Sequence, residues 1–424
     1  MREWRTPRDS CFRGVTDSQS RTFSVTCWNL EVIFANNNSW VFSDKLPTQQ
    51  RNGHTWYALA NTTSGQVKEG FSWKISYGDG SGASGIVLAD KVTVGEVTAT
   101  QQAIEAATSV SSQFIQEKSD GLLGLGFGNT NTIKPTKQLT FFENIKPSLK
   151  EPLFTVTLKL NESGVYDFGY VDKAKYVVGF FEPRFEWRLL TFSQEPIQYV
   201  PINTTRGYWE YTATGYAVGT GPMTPMNFQS IADTGTTLML LPPAATADYY
   251  SQVKGAMNNM TEGGYVFPCD AVMPDLTVQM LGNVSAVVSG KFMNRSKSQT
   301  PGSPFCYGGI QQGSPNLSIW GDVFLKSQFA VFDGRDPPRI GFAKQSGSLG
   351  TPLPPANASL PLAQGGNTAV SGSQSGTTRP DPLNWMGYFL KLAKKFGIVP
   401  EVHGNGVIAQ KRSMRWRHRV VEAY

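Results

Sequence analysis

The stretch with the clearest chemical character is a single aspartate enclosed by apolar residues. Asp233 follows Ser230-Ile231-Ala232 and precedes Thr234-Gly235-Thr236, and a second apolar run begins at Leu238. The apolar runs are typical of buried strands, and Thr-Gly is typical of a tight turn between them. A buried carboxylate is costly unless it accepts hydrogen bonds or shares a proton with a partner. An ordinary hairpin turn would explain the tripeptide alone, but plain turns are seldom enclosed by core residues.

A glycine-tipped hairpin carries the second group of candidate residues. Residues 71–77 alternate large apolar and polar side chains, Gly78-Asp79-Gly80-Ser81-Gly82 forms a tight turn, and residues 83–94 return as the second arm. An unremarkable hairpin is the plainer interpretation. A mobile cover over a cleft, with the ring and hydroxyl of Tyr77 facing a substrate, is the functional one.

The elements that would position these residues are short β-strands. The chain has 424 residues, of which 12% are aromatic and 17% are charged, and its length suits about two or three domains. A strand-turn-strand pattern followed by two apolar residues and a glycine occurs twice, ending in Leu122-Leu123-Gly124 and in Ile319-Trp320-Gly321. This repeat predicts an all-β protein with two similar lobes around a cleft.

The net charge of +6 belongs to the C-terminal tail. The excess of lysine and arginine lies from Ser346 onward, so residues 1–345 are neutral and give no electrostatic support for nucleic-acid binding. Residues 346–378 are typical of a solvated linker, and the basic run beyond them is interpreted as an undocked tail rather than a membrane anchor. No apolar stretch is long enough to span a bilayer.

Several other classes of site lack support in the sequence. There is no zinc-ligand spacing, phosphate-binding loop or Ser-His-Asp order, and the three histidines are scattered at His54, His403 and His418. We therefore expect no metal and no cofactor. Dense glycosylation sequons favour a secreted or vacuolar glycoprotein, although the first residues contain no apolar signal core. The sequons include those that begin at Asn61, Asn203, Asn259 and Asn283.

Taken together, the motifs resemble those of the pepsin-like aspartic endopeptidases, and most closely the secreted fungal ones. Residues 230–238 resemble the second catalytic loop, residues 77–81 the tip of the flap, and the two apolar-apolar-glycine segments the loops that cross beneath the active site. The resemblance covers about residues 40–176 and 195–345, in the right order. It implies a bilobal pepsin-like fold with two β-barrel-like lobes related by a pseudo-two-fold axis.

The resemblance also divides the chain and assigns its residues. The implied segments are an unmatched arm at 1–30, an N-terminal lobe with the flap at 31–176, an unpatterned insert at 177–194, a C-terminal lobe at 195–345 and a low-complexity basic tail at 346–424. The implied site has Asp233 as one catalytic carboxylate, supported by Thr234, Gly235 and Thr236, with Tyr77, Gly78 and Asp79 on the flap and a disulfide between Cys269 and Cys306.

The chemistry that the resemblance implies is hydrolysis of peptide bonds in polypeptide substrates by a monomer. Two carboxylates that lie too close for both to ionise share one proton. One removes a proton from a bound water while the other polarises the scissile carbonyl.

The first catalytic loop departs from this pattern. The family has Asp-Thr-Gly-Ser-Ser shortly before a tryptophan, whereas this chain has Ile33-Phe34-Ala35-Asn36-Asn37-Asn38-Ser39 before Trp40. The earlier acidic residues, at positions 9, 17 and 31, have neither Thr-Gly behind them nor the right distance to Trp40. Loss of one member of a catalytic unit commonly costs on the order of 10⁴-fold in rate. We therefore expect impaired activity.

Several alternatives stay open at this point. Mis-joined exons would account for the altered loop, the insert at 177–194 and the unmatched N-terminus together. A catalytically dead pepsin-like protein would keep the cleft and bind peptides without cutting them. The sequons and the Ser/Thr-rich tail would also suit a β-rich adhesion or wall protein. The pairing of Cys11 and Cys27 is undetermined.

Overall fold

The computed structural model describes residues 30–33, 36–160, 164–177, 197–297 and 303–346. The predicted arm, insert and tail lie almost wholly outside this part of the chain, as do Cys11 and Cys27. The domain boundaries drawn around them therefore stay predictions.

The described residues form mainly short β-strands. In chain order these are β1 Leu30–Ile33, β2 Trp40–Val41, β3 Gln66–Ser76, β4 Gly82–Val94, β5 Val97–Val110, β6 Gly121–Gly124, β7 Leu153–Thr157, β8 Val165–Phe168, β9 Gln198–Pro201, β10 Glu210–Val218, β11 Thr224–Ala232, β12 Met239–Leu241, β13 Met257–Asn259, β14 Gly264–Pro268, β15 Leu276–Met280, β16 Val284–Val288, β17 Asn294–Lys297, β18 Phe305–Gly308, β19 Ile310–Gln312, β20 Leu317–Trp320, β21 Gln328–Asp333 and β22 Arg339–Lys344.

The helices of the described residues are few and short. They are α1 Thr48–Arg51, α2 Ser112–Gln116, α3 Phe141–Ile145, α4 Pro243–Ser251 and α5 Asp322–Leu325. Single turns of 3-10 helix lie at Leu59–Asn61, Gly128–Thr130, Lys146–Ser148, Lys173–Lys175, Leu281–Asn283 and Gly290–Phe292. Within the described ranges, no helix combines the length and the apolar character needed to cross a membrane.

The strands assemble into four open sheets. The six-stranded sheet, in the order β1-β6-β2-β5-β4-β3, uses only strands from the first part of the chain. The seven-stranded sheet β16-β15-β10-β11-β20-β12-β19 and the four-stranded sheet β13-β14-β18-β17 use only later strands. The five-stranded sheet β8-β7-β21-β22-β9 takes strands from both parts. The predicted bilobal all-β fold is confirmed, with open sheets rather than closed barrels among the described strands.

The same three-strand arrangement occurs in each lobe. In the first lobe β6 lies between β1, with which it pairs in parallel, and β2, with which it pairs antiparallel. In the second lobe β20 lies in the same way between β11 and β12. The repeat seen in the sequence therefore corresponds to a repeat of strand pairing in the structure.

Aromatic packing joins the two parts of the chain. Phe154 on β7 stacks on Phe332 of β21 with ring centroids 4.7 Å apart, and Trp209 packs edge-on against both rings. All three side chains are fully buried. Burial of large apolar surfaces is the main stabilising term in folding, and aromatic pairs add directional contacts to it. This cluster therefore fixes the two lobes against one another.

The predicted disulfide is present. Cys269 and Cys306 are bonded, with Cα atoms 4.9 Å apart, next to the pairing of Phe267 on β14 with Cys306 on β18. On the chain-entropy estimate, closing this loop stabilises the folded protein by roughly 4 kcal/mol.

A buried glutamate lies at the centre of the six-stranded sheet. Glu105 pairs with Trp40 across β5 and β2 and is 1% exposed. Burial raises the pKa of its carboxyl to about 8, while hydrogen bonds from Asn131 and the Ser39 backbone oppose this shift in part. The carboxyl is therefore protonated in the folded protein under acidic and neutral conditions.

This burial predicts that the protein is more stable in acid. In the unfolded chain a glutamate ionises near pH 4.5, and in the folded protein Glu105 ionises near pH 8. The contribution of Glu105 to the free energy of unfolding is thus fully present below about pH 4.5. It falls as the pH rises towards 8, by on the order of 4 kcal/mol. Glu105→Gln should abolish this part of the decline, so that the variant matches the unaltered protein at pH 4 and exceeds it at pH 8 in chemical unfolding experiments.

The exposed Glu96, in the turn between β4 and β5, provides the control. Glu96→Gln should change the free energy of unfolding by less than about 0.5 kcal/mol at either pH. An equal effect of Glu105→Gln at pH 4 and at pH 8 would contradict the assignment.

Candidate active site

Asp233 lies immediately after the C-terminal end of β11, and its carboxylate is held by its own loop. The Gly235 backbone N–H donates to Oδ1 at 3.0 Å, and the Thr236 hydroxyl donates to Oδ2 at 2.8 Å. The side chain is buried, with the residue 6% exposed. Hydrogen bonds to a carboxylate favour its ionised form, which offsets the cost of burial. The predicted supporting residues Gly235 and Thr236 are thus in contact with Asp233, and Thr234, which lies between Asp233 and Gly235, is half-buried.

The loop that follows Asp233 crosses closely over the end of β20. A Cβ atom on Gly321 would lie 1.9 Å from the Thr236 carbonyl oxygen and 2.5 Å from that of Leu238. Backbone bonds close the crossing, because Gly321 N donates to Leu238 O and Asp322 N donates to Thr236 O. Only glycine has room at this position. The apolar-apolar-glycine segment therefore supports the loop that carries Asp233.

The first lobe contains the same crossing. A Cβ atom on Gly124, at the end of β6, would lie 2.6 Å from the Asn38 carbonyl oxygen and 2.8 Å from that of Asn36. The carbonyl oxygens of Asn36 and Asn38 thus approach Gly124 in the same way as those of Thr236 and Leu238 approach Gly321. The described part of the first loop, from Asn36 onward, therefore makes the same crossing as the second loop.

Strand pairing identifies the counterpart of Asp233. Ala232, the residue before Asp233, pairs with Trp320, and Asp233 N donates to Trp320 O. In the first lobe the corresponding residue of β6 is Leu123, which pairs with Val32, and the next residue of β1 is Ile33.

The two loops also have equal length. Trp40 pairs with Leu122 of β6, and Leu240 pairs with Ile319, the corresponding residue of β20. The same number of residues separates Ile33 from Trp40 as separates Asp233 from Leu240. The residue at the counterpart position therefore differs by substitution, without insertion or deletion.

The predicted flap is the hairpin of β3 and β4. Tyr77 closes its turn, since Tyr77 N donates to Ser81 O at 2.8 Å and Gly80 N donates to Tyr77 O at 3.0 Å. Asp79 is buried, and its Oδ1 accepts bonds from the backbone N–H and hydroxyl of Ser81 at 2.9 and 2.7 Å. This carboxylate thus holds the turn that also contains Gly78. The roles of Tyr77, Gly78 and Asp79 towards a substrate stay predictions.

Three residues outside the predicted set of site residues surround the Tyr77 side chain. The Trp40 indole Nε1–H donates to the Tyr77 hydroxyl at 2.8 Å, and the Asn36 amide Nδ2–H donates to it at 3.1 Å. The Phe114 ring packs edge-on against the Tyr77 ring, with centroids 5.6 Å apart, and against Trp40. The fixed distance of Trp40 after the altered loop was the one feature of the sequence that could have marked it as a site residue.

A further phenol lies within electrostatic range of the carboxylate. Burial raises the pKa of Tyr208, the nearby Arg206 opposes this rise, and the Asp233 carboxylate adds to it. Tyr208 directly precedes the buried Trp209, and no pattern in the sequence had marked it.

The described residues also include side chains of the types that bind metal ions. In the described ranges, no cluster of three or more histidine, cysteine, aspartate or glutamate residues could hold a metal ion. His54, the one histidine within these ranges, is buried, with its ring nitrogens 3.1 Å from Ser119 O and 3.2 Å from Ile115 O. This position suits a structural role in the first lobe.

Comparisons with known proteins agree with this geometry. The family model described as eukaryotic aspartyl protease matches residues 29–345. Penicillopepsin-3 of Penicillium janthinellum is 45% identical over 321 residues, which cover 76% of each chain. Penicillopepsin-1 of Penicillium rubens is 48% identical over 320 residues, covering 75% of each chain, and aspergillopepsin-1 of Aspergillus fumigatus is 46% identical over 323 residues, covering 76% of each.

The matched range contains Asp233, both glycine crossings and the flap. The chain therefore belongs to the eukaryotic aspartyl protease family, with the pepsin-like fold of its fungal members.

Proposed function

We propose that this protein has the polypeptide-binding cleft of an aspartic endopeptidase and that its hydrolytic activity is strongly impaired. Asp233 is the proposed catalytic carboxylate. The observation that carries the proposal is the strand register that makes Ile33 the counterpart of Asp233, because an aliphatic side chain can neither hold nor release a proton.

The chemistry of the site follows from what each group can do. Asp233, with donors on both carboxylate oxygens, is suited to accept a proton from water. Peptide hydrolysis by this route also needs a protonated acid at the carbonyl oxygen, to stabilise the negative charge that develops there. Ile33 provides no such group, so the tetrahedral intermediate lacks its principal stabilisation.

Binding of peptides without turnover is the second candidate function. It is favoured by the intact flap hairpin and by the contacts that tie Tyr77 to Trp40 and Asn36, which remain although the second carboxylate is absent. Measurable affinity for peptides, with no cleavage over days, would support this function over impaired hydrolysis.

We further propose that the protein is a secreted, N-glycosylated monomer. The Cys269–Cys306 disulfide supports an oxidising compartment. Asn61, Asn203 and Asn283, each the first residue of a sequon, are exposed, as attachment of a bulky glycan requires.

The first test is proteolysis. The unaltered chain should not cleave denatured globin at about pH 3–5, and the triple variant Ile33→Asp, Phe34→Thr, Ala35→Gly should gain pepstatin-sensitive cleavage, because it completes the acid pair. In the triple variant, Asp233→Asn should reduce the rate by about 10⁴-fold or more.

Two outcomes would contradict the proposal. Strong pepstatin-sensitive cleavage by the unaltered chain would refute the impairment. A folded but inactive triple variant, with a native-like circular dichroism spectrum, would show that Ile33 is not what limits catalysis. Sequencing the mature transcript across residues 25–45 and 177–194 would distinguish a true substitution from mis-joined exons.

The second test concerns glycosylation. In protein recovered from a secreting eukaryotic host, mass spectrometry should find glycans on Asn61, Asn203 and Asn283. Asn259 is only half-exposed, and its Oδ1 accepts bonds from Thr261 N and Glu262 N at 2.9 and 3.3 Å, so its occupancy should be lower. Unmodified peptides at Asn61, Asn203 and Asn283 alike would contradict the assignment.

A further inference from the structure

Asn36, the residue of the first lobe that corresponds to Thr236, makes a different side-chain contact from Thr236. Thr236 and Asn36 occupy equivalent positions, because their carbonyl oxygens face Gly321 and Gly124 in the same way. In the second lobe the Thr236 hydroxyl bonds the Asp233 carboxylate. In the first lobe the Asn36 amide reaches across to the flap and bonds Tyr77.

The orientation of the Asn36 amide is fixed by its own loop. Its Oδ1 accepts the Asn38 backbone N–H at 2.9 Å, which leaves Nδ2 as the group directed at Tyr77. Its carbonyl oxygen accepts the Gly126 N–H at 2.8 Å, and the residue is 4% exposed. Asn36 is thus held on three sides, and turning its side chain away would break at least one further hydrogen bond.

The Tyr77 hydroxyl receives two donors from the body of the lobe. A hydroxyl oxygen has two acceptor sites, and the Trp40 indole and the Asn36 amide each donate to it. The Phe114 ring packs on the same side chain. Because Tyr77 closes the flap turn through its backbone bonds with Ser81 and Gly80, movement of the turn is coupled to this side chain.

We propose that Asn36 is a positioning residue that latches the flap to the first lobe through the Tyr77 hydroxyl. The loop that would carry the first catalytic acid instead restrains the flap, so the flap opens less often than it would with the Trp40 contact alone. Because the latch concerns the free protein, it holds whether or not peptides bind or are cleaved.

Native-state amide hydrogen exchange of the flap tests the latch directly. Asn36→Ala should speed exchange at the Gly80 and Ser81 amides by about two- to tenfold, the equivalent of one hydrogen bond. The shorter variant Asn36→Ser should do the same, while its hydroxyl can still accept the Asn38 N–H. The control is Asn129→Ala in the same lobe, where an exposed amide bonds Thr204 O, and it should leave flap exchange unchanged.

A double-mutant cycle with Tyr77→Phe separates the latch from a general loosening of the lobe. Tyr77→Phe removes both hydroxyl contacts, so Asn36→Ser added to it should speed flap exchange no further. Exchange at Leu122 and Leu123 in β6 should stay at the rate of the unaltered protein in every variant. Unchanged flap exchange in Asn36→Ser, or an equal acceleration by Asn36→Ser with and without Tyr77→Phe, would overturn the proposal.

Discussion

The architecture of the site depends on a close approach between two segments of backbone, made once in each lobe. At Gly321 and at Gly124 the carbonyl oxygens of a crossing loop lie within 3 Å of where a Cβ atom would be. Any side chain would push the loop away and break the backbone bonds beside it. Because each crossing joins a parallel and an antiparallel strand pairing, the position of the loop is determined by the sheet beneath it rather than by its own side chains.

The constraint explains how the described part of the first loop makes the same crossing although its residues differ from those of the second loop. The side-chain types of the two loops differ, with Ile33-Phe34-Ala35-Asn36 in the first and Asp233-Thr234-Gly235-Thr236 in the second. The loop length and the crossing are nevertheless the same. Asparagine side chains of the first loop form hydrogen bonds with nearby residues. Asn38 Oδ1, for example, accepts bonds from Thr132 N and from the Asn131 amide, which in turn bonds the buried Glu105. A polar network of this kind holds the loop without contributing a catalytic group.

Much of the fold and part of the site could be predicted from the sequence, for local reasons. Asp233 was marked by its apolar flanks, the flap by its alternation and glycine tip, and the repeat by two apolar-apolar-glycine segments. What was missed depends on contacts between distant residues. Asn36 and Tyr77 are 41 positions apart, and Tyr208 lies within electrostatic range of Asp233 although 25 positions separate them in the sequence. The burial of Glu105 could not be predicted from the sequence either, because a charged residue in a strand ordinarily indicates an exposed face.

The loss of a catalytic carboxylate need not cost the fold any stability. Two neighbouring carboxylates repel one another unless they share a proton, and removing a charge from an enclosed site removes its desolvation penalty. Asp233 is held by two hydrogen-bond donors from its own loop. Active sites commonly hold groups that are unfavourable for stability and are tolerated for function. An aliphatic residue at position 33 is therefore compatible with an intact lobe, and the effect that we propose for it is on catalysis.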